Sequence, residues 1–149
     1  MITRVVVADE RGASFLDASG LRTPFELRTT LLNDNAGLKD QDLETDRAGR
    51  GSNTVGRGGH GMDGERSTRR HLLELFAHHV ATQIDEARKR NEFEKLVIVA
   101  GPRMLGLIRE GLSVPCRALV VAEVDKDLSH LDMQAIRDAV PREAFSQFR

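Results

Sequence analysis

Five consecutive aliphatic residues, Leu96–Ala100 (LVIVA), constrain the fold of this chain more than any other stretch of its sequence. A strand with one face in water alternates apolar and polar residues, whereas an unbroken aliphatic run is typical of a strand buried on both faces. Such a strand needs helices above and below its sheet. The run therefore predicts the interior of an α/β sheet.

The N-terminal part of the chain carries the pattern of antiparallel strands. A β-branched run, Arg4–Asp9 (RVVVAD), is followed by a short polar turn that contains Gly12, and then by a second apolar segment, Ala13–Ala18. This spacing predicts a β-hairpin. A third strand is expected over Arg22–Leu32, where Pro24 favours an edge position or the start of the strand.

The C-terminal half alternates helices with strands. A stripe of apolar residues at helical spacing predicts a long helix over Ser67–Arg90. Pro102 suits the first turn of a helix that follows Ala100, and a further strand is expected over Cys116–Val124. A short last helix is expected over Asp132–Val140. The stripe of the long helix consists of Leu72, Leu73, Phe76, Val80, Ile84 and Ala87.

Together these elements predict one domain, residues 1–140, followed by a frayed tail at 141–149. The order βββ-loop-α-β-α-β-α indicates a mixed sheet with helices on its faces. With 149 residues the chain is long enough to bury a core. The single cysteine excludes an internal disulfide, and no signal peptide or membrane-length apolar run is present. We therefore expect a cytoplasmic protein without a membrane partner.

The segment from about residue 35 to residue 66 lacks periodicity and contains Val55–Met62 (VGRGGHGM), with four glycines in eight residues. We predict a flexible loop, which in a small domain is generally either functional or disordered. Between Arg47 and Arg70 six arginines face two acidic residues, a local net charge of +4, although the whole chain has a net charge of −1. The positive charge is thus concentrated where the glycines are, and a solvated surface is the plain alternative to a binding site.

Three sequence blocks resemble the bacterial host attachment protein family, named for attachment to host cells. They are Val5–Asp9, Leu96–Leu107 (LVIVAGPRMLGL) and Val120–Leu131 (VVAEVDKDLSHL), so the resemblance covers almost the whole chain. It implies an interaction protein that acts in attachment, either directly or indirectly.

The element order and the sequence Gly56–His60 (GRGGH) also resemble the middle domain of archaeal and eukaryotic peptide-chain release factors and of Pelota. In release factors a Gly-Arg-Gly-Gly-Gln loop precedes the long helix. The resemblance implies a ribonuclease-H-like mixed sheet and contact with tRNA or the ribosome. The residues expected to make that contact are Arg57, Gly58, Gly59, His60, Arg66, Arg69 and Arg70.

His60 stands where release factors have the glutamine that helps to place the attacking water. An imidazole lacks the shape of an amide and its paired donor and acceptor. We therefore predict a non-enzymatic binding module with no catalytic residue. A hydrolase of RNA or of an ester, using His60 or strand-end carboxylates, remains an alternative.

Those carboxylates, Asp9, Asp125 and Asp127, follow predicted strands and are expected to converge with Glu123 at one edge of the sheet. Nucleases with a ribonuclease-H-like fold hold two magnesium ions with such groups. Aspartate is also common in turns and helix caps, so both interpretations stay open. The spacing of the histidines does not match a zinc site, and no nucleotide-binding motif is present, so we predict no metal and no cofactor.

Overall fold

A five-stranded mixed sheet forms the centre of the computed structural model, which describes residues 1–20, 22–34 and 60–145, without the side chains of residues 60–66. The strands lie in the order β3-β2-β1-β4-β5. β2 pairs antiparallel with β1 and β3, whereas β1, β4 and β5 run parallel. The strands are β1 Thr3–Ala8, β2 Gly12–Ala18, β3 Glu26–Leu32, β4 Lys95–Ala100 and β5 Val120–Asp125.

Helices cover both faces of this sheet. Buried residues of α1 and α2 pack on one face, around Val6 and Ile98. Residues of α4 and of a C-terminal 3₁₀ helix pack on the other face, around Val5 and Val97. The helices are α1 His60–Lys89, α2 Pro102–Gly111, α3 Val114–Arg117 and α4 Met133–Ala139, and the 3₁₀ helix is Arg142–Phe145.

The predicted centre of the sheet is confirmed. Every residue from Leu96 to Ala100 is fully buried, because β4 lies between β1 and β5 and is covered on both faces. The predicted hairpin is confirmed as β1 and β2, and β3 occupies an edge as expected. β3 begins at Glu26, after Pro24, rather than at Arg22.

The long helix begins earlier than its apolar stripe indicates. α1 starts at His60 rather than Ser67, so residues 60–66 of the predicted loop are helical, and residues 35–59 lie outside the described residues. Extending an existing helix does not require a new first turn to form. Each glycine in the helix interior lowers helix stability by about 1 kcal/mol relative to alanine. Gly61 and Gly64 therefore do not prevent the helix from extending to His60. They do interrupt the apolar periodicity by which a helix is recognised in a sequence.

The connection between α2 and β5 also differs from the prediction. Residues Val114–Arg117 form the short helix α3, in which the Ser113 side chain accepts a hydrogen bond from the backbone N–H of Cys116. The strand consequently begins at Val120 rather than at Cys116. A serine N-cap followed by a proline in the first turn is a helix-start signal that outweighs the β propensity of the residues after it.

The prediction of a frayed tail is wrong for Arg142–Phe145. Phe145 is buried, and its ring centroid lies 5.7 Å from that of Phe25. The hydroxyl of Thr3 donates to the carbonyl oxygen of Ala144 at 3.1 Å. Burial of one aromatic ring stabilises this end of the chain even without a regular helix.

Candidate functional site

The N-terminal half of α1 extends beyond the sheet that its other half covers. The buried residues of α1 in the described part of the chain lie between Phe76 and Ala87. These 12 residues span about 18 Å, close to the roughly 20 Å length of a six-residue strand. The whole helix has 30 residues, so it is about 45 Å long. Leu73, one turn earlier, is partly buried against the same core. A little under half of the helix, residues 60–72, therefore precedes the part that packs on the sheet.

This extension lies at the carboxyl edge of the parallel strands. α1 ends at Lys89, and β4 begins at Lys95 after a short connection in which the backbone N–H of Glu94 donates to the carbonyl oxygen of Ile2. The C-terminus of α1 is therefore beside the start of β1 and β4. Its N-terminus points toward the opposite edge, where Ala8 and Ala100 end their strands in register.

Two of the predicted contact residues, Arg69 and Arg70, are exposed in this extension. Both precede Phe76, the first buried residue in the part of α1 whose side chains are described. His60 and Arg66 belong to the same helix, but their side chains lie outside the described residues, as do Arg57, Gly58 and Gly59 entirely. Of the predicted contact residues, Arg69 and Arg70 are therefore those whose exposure the structure describes.

The strand-end carboxylates are brought together in part, by a serine that the sequence analysis did not single out. The Ser129 hydroxyl lies 2.7 Å from Asp9 Oδ2 and 2.8 Å from Asp127 Oδ1. A hydroxyl has one proton, so it donates to one of these carboxylates at a time. This contact ties the β1–β2 turn to the loop between β5 and α4.

The other oxygen of Asp9 shapes its own turn. Asp9 Oδ1 accepts hydrogen bonds from the backbone N–H groups of Arg11, at 2.8 Å, and Gly12, at 3.0 Å. Asp9 Oδ1 therefore has two backbone donors, as expected of an aspartate that fixes a turn, and Oδ2 shares the Ser129 proton with Asp127. For Asp9 and Asp127 the geometry favours the turn interpretation over metal binding.

Asp125 and Glu123 do not join that contact. Asp125 ends β5 in register with Ala100 and is exposed. The Arg109 guanidinium donates to both oxygens of Glu123, at 2.5 and 3.0 Å, and this hydrogen bonding lowers the pKa of Glu123. In the described ranges no group of three or more His, Cys, Asp or Glu residues is arranged to hold a metal ion.

Cys116 has the environment of a structural residue. It is fully buried beside Asp85, and burial raises the pKa of its thiol to about 11. A thiol is nucleophilic as its thiolate, which is scarce near neutral pH when the pKa is that high. This side chain contributes packing rather than chemistry.

Comparison with known proteins identifies the family. A family model described as "Protein required for attachment to host cells" matches residues 4–140, so the chain belongs to that family. A search of curated proteins gave no match. Within the described part of the chain, no helix has both the length and the apolar character that crossing a membrane requires.

A solved structure described as an archaeal protein is similar to this chain. The two share 9% sequence identity with a TM-score of 0.44, and the similarity covers 93% of this chain. It covers 32% of the other, so the present chain spans about a third of that protein's length.

Proposed function

We propose that this member of the host attachment family is a non-enzymatic, cytoplasmic binding module that engages tRNA or the ribosome. The contact surface is the N-terminal half of α1 together with the Gly-Arg segment that precedes it. The observation that carries the proposal is the exposure of Arg69 and Arg70 on a helix that extends past its sheet.

Charge supports an anionic partner at this place. Arg69 and Arg70 are the tenth and eleventh residues of α1, so the partial charge of the helix end, which acts within the first turn, has little effect on them. Two adjacent, exposed guanidinium groups suit a phosphate backbone, since guanidinium groups bind phosphate with paired hydrogen bonds. Such contacts position a nucleic acid without reading its sequence.

The fold supports the same proposal by analogy. From the mixed sheet in the order β3-β2-β1-β4-β5, with a long helix after the third strand, we infer a ribonuclease-H-like fold. We extend this to kinship with the middle domain of release factors, where a glycine-rich loop also precedes the long helix. Fold analogy alone does not establish an activity. The site argument therefore rests on the arginines.

A role in attachment to host cells is the second candidate, and the family description favours it. Attachment would depend on this protein indirectly if binding to the ribosome changes protein synthesis. Attachment would depend on this protein directly if the protein itself contacts the host cell. The carboxylate route of the hydrolase alternative receives less support, because Asp9 Oδ1 accepts from two backbone N–H groups of its turn and Ser129 lies between Asp9 and Asp127.

Co-sedimentation with ribosomes tests the proposal. The wild-type protein is expected in the ribosomal pellet, and the Arg69→Ala/Arg70→Ala variant largely in the supernatant. The matched control is Lys89→Ala/Arg90→Ala, which removes two adjacent exposed cations at the other end of α1. Arg90 pairs with Glu92 at the surface, a contact whose loss costs about 0.2–1 kcal/mol.

The control is expected to pellet like the wild type. Equal pelleting of all three proteins, or pelleting of none, contradicts the proposal. If both variants lose pelleting equally, ribosome binding depends on the total charge of the protein rather than on the arginines of the N-terminal half of α1, which also contradicts the proposal.

A further inference from the structure

A cleft on the other side of the molecule contains three arginines that the proposed function does not use. It has a volume of about 460 Å³, within the range of small-molecule sites, which is about 300–1,000 Å³. We call it the arginine cleft. Its lining residues are Arg22, Arg137, Asp138, Val140, Arg142 and Phe145.

The guanidinium of Arg137 is fixed at this cleft. It donates to the backbone carbonyl oxygens of Thr23 and Gly20. Its central carbon lies 5.3 Å from the ring centroid of Phe25 and 5.5 Å from that of Phe145. A guanidinium has five N–H donors, so these two hydrogen bonds leave others for a ligand.

The positive charge of the cleft has little compensation from the protein. In the described ranges no carboxylate forms an ion pair with Arg22, Arg137 or Arg142. Asp138 is the one acidic residue of the lining, and it accepts a hydrogen bond from Gln134 at 3.0 Å. Three arginines and one aspartate give the lining a net charge of +2. Concave surfaces lined by one sign of charge concentrate ions of the opposite sign.

We propose that the arginine cleft binds a phosphate monoester. Such a group carries about −1.5 to −2 charge near pH 7, which matches the net charge of the lining. Its oxygens suit the paired donors of guanidinium groups better than they suit the point charge of a lysine. Val140 and Phe145 also line the cleft, but both are buried in the core and expose little surface to a ligand.

This proposal is independent of the contact surface on α1. The connection between β2 and β3 that carries Arg22 lies at the amino edge of the parallel strands, because β2 runs antiparallel to β1. The start of α1 lies at the carboxyl edge. Either site can therefore be correct if the other is wrong.

Isothermal titration of the full chain with adenosine monophosphate tests the proposal, with adenosine as the phosphate-free probe. A short RNA, with and without a 5′-phosphate, shows whether the monoester belongs to a free nucleotide or to an RNA end. The variant is Arg22→Ala/Arg142→Ala, which removes two exposed side chains. Lys89→Ala/Arg90→Ala, which removes two exposed cations that do not line the cleft, is the matched control.

We expect a phosphate-bearing probe to bind the wild type and the control alike, and to bind the cleft variant at least about tenfold more weakly. Unfolding midpoints of all three proteins show whether the fold is kept. The proposal is overturned if no phosphate-bearing probe binds or if the cleft variant binds as well as the wild type. It is also overturned if adenosine binds as tightly as adenosine monophosphate.

Discussion

Asp85 shows how one carboxylate holds a connection between elements in place. Its Oδ1 accepts from the Ser113 hydroxyl at 2.7 Å and from Arg88 at 3.1 Å, and its Oδ2 accepts from the Ser113 backbone N–H at 3.2 Å. Ser113 in turn caps α3. Burial alone would raise the pKa of Asp85, but the hydrogen bonds from Ser113 and Arg88 outweigh it and lower the pKa.

The stability that these hydrogen bonds contribute depends on pH in a defined direction. A pKa that is lower in the folded state means that the contribution is complete above the ordinary value of 3.8 and is lost as pH falls below it. We expect Asp85→Ala to reduce the free energy of unfolding by about 1.5–3 kcal/mol at pH 7. The difference from wild type should shrink at pH 3.

Urea unfolding at the two pH values measures this difference. Glu86→Ala, at the next and exposed position of α1, is the control and should change stability little at either pH. If Asp85→Ala destabilises the protein equally at pH 7 and pH 3, the hydrogen bonds do not preferentially stabilise the ionised carboxylate of Asp85, and the prediction is contradicted.

At the scale of elements, α1 and α2 approach each other closely at Gly111. A Cβ atom added there would lie 2.9 Å from the Cβ of Ala81, well inside normal contact. Gly106, in the same helix, has open space around the corresponding position. Close packing of α1 and α2 therefore requires a glycine at position 111 but not at position 106.

We expect Gly111→Ala to destabilise the protein by about 1–3 kcal/mol, because the helices must move apart. Gly106→Ala should leave stability unchanged or raise it by up to about 1 kcal/mol, since alanine is the better helix former. Thermal unfolding of the two variants tests this contrast. Similar midpoints for both would show that the contact at Gly111 can relax without cost.

The elements that could be predicted are those whose pattern comes from burial. Leu96–Ala100 is apolar throughout because both of its faces are covered, and the stripe from Phe76 to Ala87 follows the core-facing side of α1. The start of α1 at His60 could not be predicted in the same way. No apolar periodicity marks a helix where it extends beyond the core.

The candidate sites were predictable to different degrees. The arginines before Phe76 were visible as a cluster in sequence, and the structure adds the length of helix that exposes them. Ser129 is two residues from Asp127, so their contact could be expected from the local sequence. The contact between Ser129 and Asp9 joins residues 120 positions apart and could not. The arginine cleft joins Arg22 to Arg142 across almost the whole chain, and nothing in either local sequence indicates the other.

Across the whole molecule, the two candidate sites lie at opposite edges of one sheet. The amino edge has the arginine cleft, closed by the 3₁₀ helix that ends in Phe145. The carboxyl edge has the start of α1 and the turn that Asp9 and Ser129 hold. The aliphatic core between them separates the sites, so each set of arginines can be changed without touching the other.

The salt dependence of tRNA binding tests the central claim, that phosphates bind at the start of α1, most directly. The logarithm of a nucleic-acid binding constant falls linearly with the logarithm of salt concentration, with a slope of roughly 0.7–0.9 per phosphate contact. Wild-type protein and the Lys89→Ala/Arg90→Ala control should share one slope. For Arg69→Ala/Arg70→Ala we expect weaker binding and a slope shallower by about 1–2. An unchanged affinity and slope in that variant would contradict the claim.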